Sequence, residues 1–436
     1  MPVAKLTITS AADFDAALRR VCGLVEGGGT ERVLAEKTEA TRAIVEDVRQ
    51  RGDAAVAEYT QRFDGTTLRP DQFELTNAEI DAAVAGVDKE LIAALERAHA
   101  NIRRFHGKNL RQSWEETLED GTVLGQRITP IESVGVYVPG GKAFYPSTVL
   151  MNIAPAKVAG VREIVMVSPP SYQGSIHPVV LAAARIAGVD RVFRIGGAQA
   201  IAALAYSTAT VPKVMKITGP GNTFVAVAKR LIQDVCAIDT EAGPSEVTVI
   251  ADEHADPVRV AAEMLAQAEH DEEACSILVT TSSALADKTN AVIDTELPKL
   301  SREKIIRASL DGRGVMVIVR DMDEAIRLTN LIAPEHLAIY TKSPRQVLDR
   351  IENAGSIMVG ETTTVVFGDY IAGPNHTLPT SRRARFSSPL SAEEFRKVSS
   401  IIQFSPERAA AVAQDVMRMA RAEELTAHAR AVEIRT

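Results

Sequence analysis

The spacing of apolar positions changes near residue 123, and that change divides the chain. Before it the period is helical. Phe14, Leu18, Val21 and Leu24 follow Thr9-Ser10 at helical intervals up to the glycines at 27–29, and a second helix is predicted from about Glu31 to Arg51, ending at Gly52. Thr76 and Glu79 make a capping-box pair ahead of Ile80, Val84, Val87, Leu91, Leu95 and His99, which predicts one long helix. From about residue 123, short β-branched runs alternate with helical stretches. Strands are expected at 134–138, 163–167, 191–195, 213–217, 246–251, 276–281, 314–319, 337–340 and 356–359, with helices between most of them. A βα succession of this kind predicts parallel sheets covered by helices. The expected organisation is a helical region over 1–122, two tandem α/β lobes over 123–242 and 243–380, and a tail over 381–436. The tail reads as irregular over 381–404. Ser405-Pro406 then opens a long helix through Val412, Val416 and Met419 towards Glu423 and His428, which can dock on its own domain or on a partner subunit.

Composition narrows the class of function. Of 436 residues, 46% are hydrophobic and 24% charged, an ordinary balance for a soluble protein with sizeable cores. The net charge of -8, with no basic stripe, argues against nucleic acid and anionic membranes as partners. Met1 to Ser10 has no apolar signal core, and no apolar run approaches a membrane span. Cys22, Cys236 and Cys275 are odd in number and far apart, which points to a reduced, cytoplasmic protein without a disulfide framework.

Three stretches concentrate chemistry. The first is Gly368 to His376, continuing to Thr380, a Gly/Pro-rich segment with neither helical nor strand periodicity that carries Asp369 and His376. It follows the second lobe's last strand, where ligands of such sheets tend to bind, although a polar surface turn has the same composition. The second is Gln267 to His270, where two polar side chains three apart share the last turn of a helix and could serve one ion or the helix end itself. The third is Glu335-His336 after Pro334, an adjacent acid and imidazole that suits two proton transfers. At the start of a strand these two would point to opposite sides unless the backbone turns. Gln267, His270, Asp369 and His428 would together make an N/O set suited to zinc, an assembly that spacing alone leaves open. No GxGxxG or GxxxxGK[ST] occurs. Gly196-Gly197-Ala198-Gln199 and Gly219-Pro220-Gly221-Asn222 remain as turns that either hold a phosphate or only join strand to helix.

Ten segments in order resemble the L-histidinol dehydrogenase family over nearly the whole chain. They are Val134 to Gly141, Tyr145 to Met151, Gly196 to Ala200, Gly219 to Asn222, Ala242 to Glu246, Gln267 to His270, Ala333 to Leu337, Gly368 to Thr380, Ala384 to Leu390 and Glu423 to His428. The resemblance implies two related incomplete-Rossmann lobes akin to aldehyde dehydrogenases, a homodimer with its site shared across the interface, one zinc per subunit, and NAD. It implies oxidation of histidinol through histidinal to histidine. It assigns Glu335 and His336 to acid/base chemistry, and Gln267, His270 and Asp369 to zinc together with His428 from the other subunit. Ser245, His376 and Glu423 would line the substrate site with the zinc ligands and His336, and Tyr137, Gln199 and Asn222 would contact NAD. Arg382 and Arg383 leave a second expectation open, a sister zinc/NAD dehydrogenase for another small alcohol, anionic like a hydroxysulfonate.

Overall fold

A computed structural model describes residues 3–26, 31–108, 110–140, 144–240 and 243–436. The glycine run at 27–29, Gly141 and Ala242 lie outside them. Among the described residues there are three sheets. The first has five parallel strands in the order Arg191–Phe193, Glu163–Val167, Ser133–Tyr137, Lys216–Thr218, Ala237–Ile238. The second has six, in the order Ala4–Thr7, Gly314–Ile318, Cys275–Thr280, Glu246–Ala251, His336–Tyr340, Ser356–Val359, also all parallel. The expected pair of helix-covered α/β lobes is therefore present, and the apolar runs explain it. Ser133–Tyr137, Glu246–Ala251 and Cys275–Thr280 are buried at every position, as strands covered on both faces must be.

Helices of the N-terminal region serve both lobes. Phe14, Ala17, Val21 and Val25 pack with Ile277, Val315 and Leu337 of the second sheet, whereas Ile44, Val48 and Val56 pack with Phe193, Ala200 and Leu204 of the first lobe. The expected long helix after Thr76 is two. Thr76 and Glu79 do cap Asn77–Val84 reciprocally, but the chain then breaks and Asp88, accepting from Leu91 N at 2.9 Å, caps a second helix, Lys89–Gly107.

Residues 381–404 are not irregular throughout. Arg396–Gln403 is an antiparallel strand paired with Val123–Pro130, which also pairs with Trp114–Thr117 to form the third sheet. Beyond it, helices Pro406–Ala422 and Thr426–Glu433 pack on each other through Ala413, Met417, Ala420 and Ala429, a small cluster of their own. No described helix is long and apolar enough to cross a membrane.

Candidate active site

The amino ends of two neighbouring strands in the second sheet bring Glu246, Glu335 and His336 together. Their side chains are buried, Glu246 to 1% exposure. The two glutamates are cross-linked through the main chain: Glu246 N donates to Glu335 Oε2 at 2.7 Å, and Glu335 N donates to Glu246 Oε1 at 3.1 Å. His336 Nδ1 lies 3.1 Å from Glu246 O and 3.5 Å from Glu335 Oε2, so this nitrogen donates to the carbonyl and fixes the ring. The expected divergence of Glu335 and His336 does not occur. Ala333 caps the preceding helix in the left-handed region (φ 51°, ψ 62°), and the turn it makes brings both side chains to one place. Gly355 permits the crowding there, because a Cβ at 355 would sit 2.6 Å from Glu335 O.

His336 Nε2 is buried without a hydrogen-bond partner and faces Asp369 Oδ1 at 3.6 Å. Asp369 is not in an irregular loop. It lies in the short helix Val365–Tyr370, which Thr364 caps and which turns back after the last strand towards the amino edge. That return corrects the expectation from sheet topology: the candidate site occupies the amino edge of the second sheet, not its carboxyl edge. The carboxyl edge does hold an open crevice of about 530 Å³ lined by Asp252, Thr281, Lys342 and Arg350, but none of the predicted residues reaches it. Asp252, Glu253 and His254 bring ligand atoms within 4.8 Å of one another there, yet two of the three are exposed and all sit on a single turn.

Charge binds the group together. Burial pushes the Asp369 carboxyl up, but its contact with His336 and the nearby rings of His376 and His270 outweigh this and hold it below the usual carboxylate range. Burial opposes the charging of His336, and the carboxylates of Glu335 and Asp369 overcome it, raising the imidazole well above its ordinary value. Glu246 lacks a cationic partner on its free oxygen. Burial, reinforced by the Glu335 charge, raises its carboxyl well above normal.

Around this centre the other predicted residues divide. Gln267 is buried near the end of the helix Pro257–Ala268 with its Nε2 unpartnered, and His270 stands exposed just past that helix. Ser245 is half-buried immediately before Glu246 and its carbonyl accepts from Cys275 N. His376 Nδ1 donates to Asp369 O at 3.1 Å, and its Nε2 lies 3.5 Å from Thr148 Oγ1. Thr148 belongs to the first turn of helix Pro146–Ala159, which follows the first sheet's central strand, so the two lobes meet at this contact. Glu423 and His428 are exposed on the C-terminal helices. Among the described residues, no hydrogen bond or ion pair joins their side chains to the group around His336. Within one chain, direct contacts join Glu335, His336, Asp369 and His376 of the predicted residues, and Glu423 and His428 stand apart from them.

Tyr137, Gln199 and Asn222 lie at the opposite kind of edge, the carboxyl end of the first sheet. Tyr137 Oη accepts from Gly197 N at 3.2 Å, and burial pushes the phenol up to about 12. Gln199 is 1% exposed, and both its amide atoms lack partners. Asn222 is partly used already, its Oδ1 accepting from Phe224 N and Val225 N at 3.0 and 3.1 Å as the N-cap of helix Thr223–Leu231. Gly219 crosses so close over Tyr137 that a Cβ there would lie 2.1 Å from Tyr137 O, and its φ of 108° excludes other residues. Gly219 N donates to Asp239 Oδ2 at 2.7 Å, and Asp239 forms a buried ion pair with Lys229. Sequence reasoning did not assign a role to Thr148, Glu246 or Asp64. The first two lie inside motifs already singled out, and Asp64, a buried carboxyl beside Tyr137 with one oxygen unpartnered, lies outside them.

Comparison with known proteins finds relatives over nearly the whole chain. The family model for histidinol dehydrogenase matches residues 30–436. Histidinol dehydrogenase of Geobacter sulfurreducens is 49% identical over 426 residues, covering 97% of both chains. That of Neisseria gonorrhoeae is 48% identical over 430 residues, covering 98% of both. A crystal structure of histidinol dehydrogenase from Elizabethkingia anophelis superposes with a TM-score of 0.92 at 34% identity, covering 99% of this chain and 98% of that one. Matched from residue 30 to its last residue and sharing about half its positions with such relatives, the chain belongs to the histidinol dehydrogenase family.

Proposed function

We propose that this protein oxidises L-histidinol to L-histidine in two NAD-linked steps with one zinc per subunit. The observation that carries the reading is His336: its Nδ1 is anchored on a carbonyl while its buried Nε2 has no partner and faces Asp369. The donor set fits zinc, since Gln267, His270 and Asp369 offer an amide, an imidazole and a carboxylate, and Gln267 is buried with unmet polar capacity. Gln199, buried with both amide atoms unsatisfied at the first sheet's carboxyl edge, fits a polar cofactor, with Tyr137 and Asn222 beside it on the neighbouring turns. When bound, zinc supplies Lewis-acid polarisation of the substrate oxygen and NAD accepts hydride.

The chain's own residues manage protons and orientation. With Asp369 engaged by zinc, its carboxylate would no longer favour the proton on His336, and in the first oxidation His336 Nε2 takes the alcohol proton as the carbinol carbon gives up hydride to NAD, leaving histidinal. The carbonyl of Glu246 keeps Nδ1 fixed during this exchange. In the second, Glu335 takes a proton from the water that adds to the aldehyde carbon, loss of the second hydride to a second NAD leaves the carboxylic acid, and its proton passes to solvent to give the carboxylate. The amide of Glu246 holds Glu335 Oε2 in position for this. Ser245 and His376 line the substrate side, His376 oriented by Asp369 O.

The tail supports a shared site. Glu423 and His428 are exposed, and Met419, Leu425 and Ile434 present apolar surface on the same helical pair. A second copy of the chain that covers this surface would receive His428 as a fourth zinc ligand and Glu423 beside the cationic substrate. The free, buried state of Cys22, Cys236 and Cys275 suits the cytoplasm.

The alternative substrate, an anionic alcohol such as a hydroxysulfonate, needs a free guanidinium. Arg382 is largely committed elsewhere, donating to Glu26 Oε1 at 2.8 Å and to Leu331 O at 3.0 Å, and only its buried Nε lacks a partner. Zinc-loaded protein assayed with NAD against both alcohols tests the choice: turnover of histidinol alone is expected, and turnover of the hydroxysulfonate alone would replace the reading.

A further inference from the structure

The three elements that carry Gln267, His336 and Asp369 are tied together by a second set of residues, away from any substrate. Glu263 lies one helical turn before Gln267 on the same face of its helix. Tyr340 lies four residues after His336 on the same face of its strand, and Val365 one turn before Asp369 at the start of its helix. These three meet. Glu263 Oε1 accepts from Tyr340 Oη at 2.7 Å, and Glu263 Oε2 accepts from Val365 N at 3.2 Å. Thr363 O, also just ahead of that helix, is 3.2 Å from the same Tyr340 Oη.

Glu263 is 4% exposed and among the described residues forms no ion pair, an arrangement that stability alone does not favour. An apolar side chain of similar volume would avoid the desolvation cost of a buried carboxylate. What the carboxylate supplies is direction: two oxygens, one aimed at a strand and one at a helix N-terminus, fix both elements relative to the helix that bears them. We propose that Glu263 and Tyr340 are positioning residues that set the spacing of the Gln267, His270 and Asp369 donors and thereby the zinc affinity of the site. The proposal rests on those three residues being the zinc donors.

The test is zinc binding by the full-length protein, measured by competition with a chromophoric chelator, alongside far-UV circular dichroism and melting temperature. Tyr340→Phe removes one oxygen, Glu263→Leu removes the clamp, Glu263→Gln keeps an acceptor for Val365 N, and Gln267→Ala is the donor control. Tyr340→Phe and Glu263→Leu are expected to bind zinc ~10–100-fold more weakly than wild type with secondary structure intact, and Glu263→Gln to recover part of the loss. Were Glu263→Leu to unfold, Tyr340→Phe alone decides, since it deletes a single hydroxyl. Zinc affinity within twofold of wild type in folded Tyr340→Phe, while Gln267→Ala loses the metal, would overturn the clamp and leave the donor set standing. Unchanged affinity in Gln267→Ala as well would overturn the donor set, and the clamp with it.

Discussion

The two parallel sheets use opposite edges. At the carboxyl edge of the first, Tyr137, Gln199 and Asn222 are uncharged, and the turns between them are shaped by Gly197 and Gly219. The amino edge of the second gathers Glu246, Glu335, His336 and, through a returning helix, Asp369. An uncharged edge with unsatisfied amides suits holding a ligand whose chemistry lies elsewhere, whereas a cluster of coupled acids and imidazole suits moving protons. On the proposed function, the same layer architecture divides binding from chemistry by which end of the sheet it exposes, and Thr148 with His376 marks where the two lobes meet.

The largest effect separates the two edges outright. His336→Asn and Glu335→Gln should each lower kcat by ~10²–10⁴-fold, the range of a lost general acid or base, while leaving NAD binding unchanged by fluorescence titration. Weakened NAD binding in either variant would break the division. The complementary change, Gln199→Ala, should raise the KM for NAD by ~10-fold, the loss of one or two hydrogen bonds, with zinc content and the KM for histidinol unmoved.

The fold was largely legible in the sequence, and the site less so. Buried strands such as Glu246–Ala251 announced themselves as unbroken apolar runs. Arg396–Gln403 did not, because its positions are mostly exposed and leave no alternation to read, and its partner lies in Val123–Pro130, far away in sequence. Glu335, His336, Gln267 and Asp369 stand out in the sequence as candidates through their motifs. Their meeting place does not, since it depends on Ala333 taking a left-handed conformation that a non-glycine residue does not advertise, and on the Val365 helix turning back along the sheet. Glu423 and His428 stand apart from the rest within one chain.

Two smaller predictions sharpen the contrast. Glu246 shares its edge with Glu335 but burial raises its carboxyl well above normal, so Glu246→Gln, which retains the acceptor for Glu335 N, should keep kcat within about threefold of wild type. A loss as large as that of Glu335→Gln would make Glu246 an ionised participant. On the first sheet's edge, where Lys229 and Asp239 pair with each other, Asp64 beside Tyr137 has its carboxyl pushed up to about 6 by burial and one oxygen left without a partner. Between the ordinary carboxylate value and about 6, the native state binds the proton that the unfolded chain has released, so stability falls as pH rises through that window. Asp64→Asn should remove this fall and be more stable at pH 8 by about 1 kcal/mol after allowing for partial solvent screening, measured by urea denaturation. Equal slopes for the two proteins between pH 4 and pH 7 would contradict it.

One acid/base pair, Glu335 and His336, is proposed to serve two successive oxidations. Counting NADH against histidinol consumed, with zinc-loaded protein and excess NAD, measures this directly. Two NADH and one histidine per histidinol are predicted. One NADH with histidinal accumulating, or no turnover of histidinol, would contradict it.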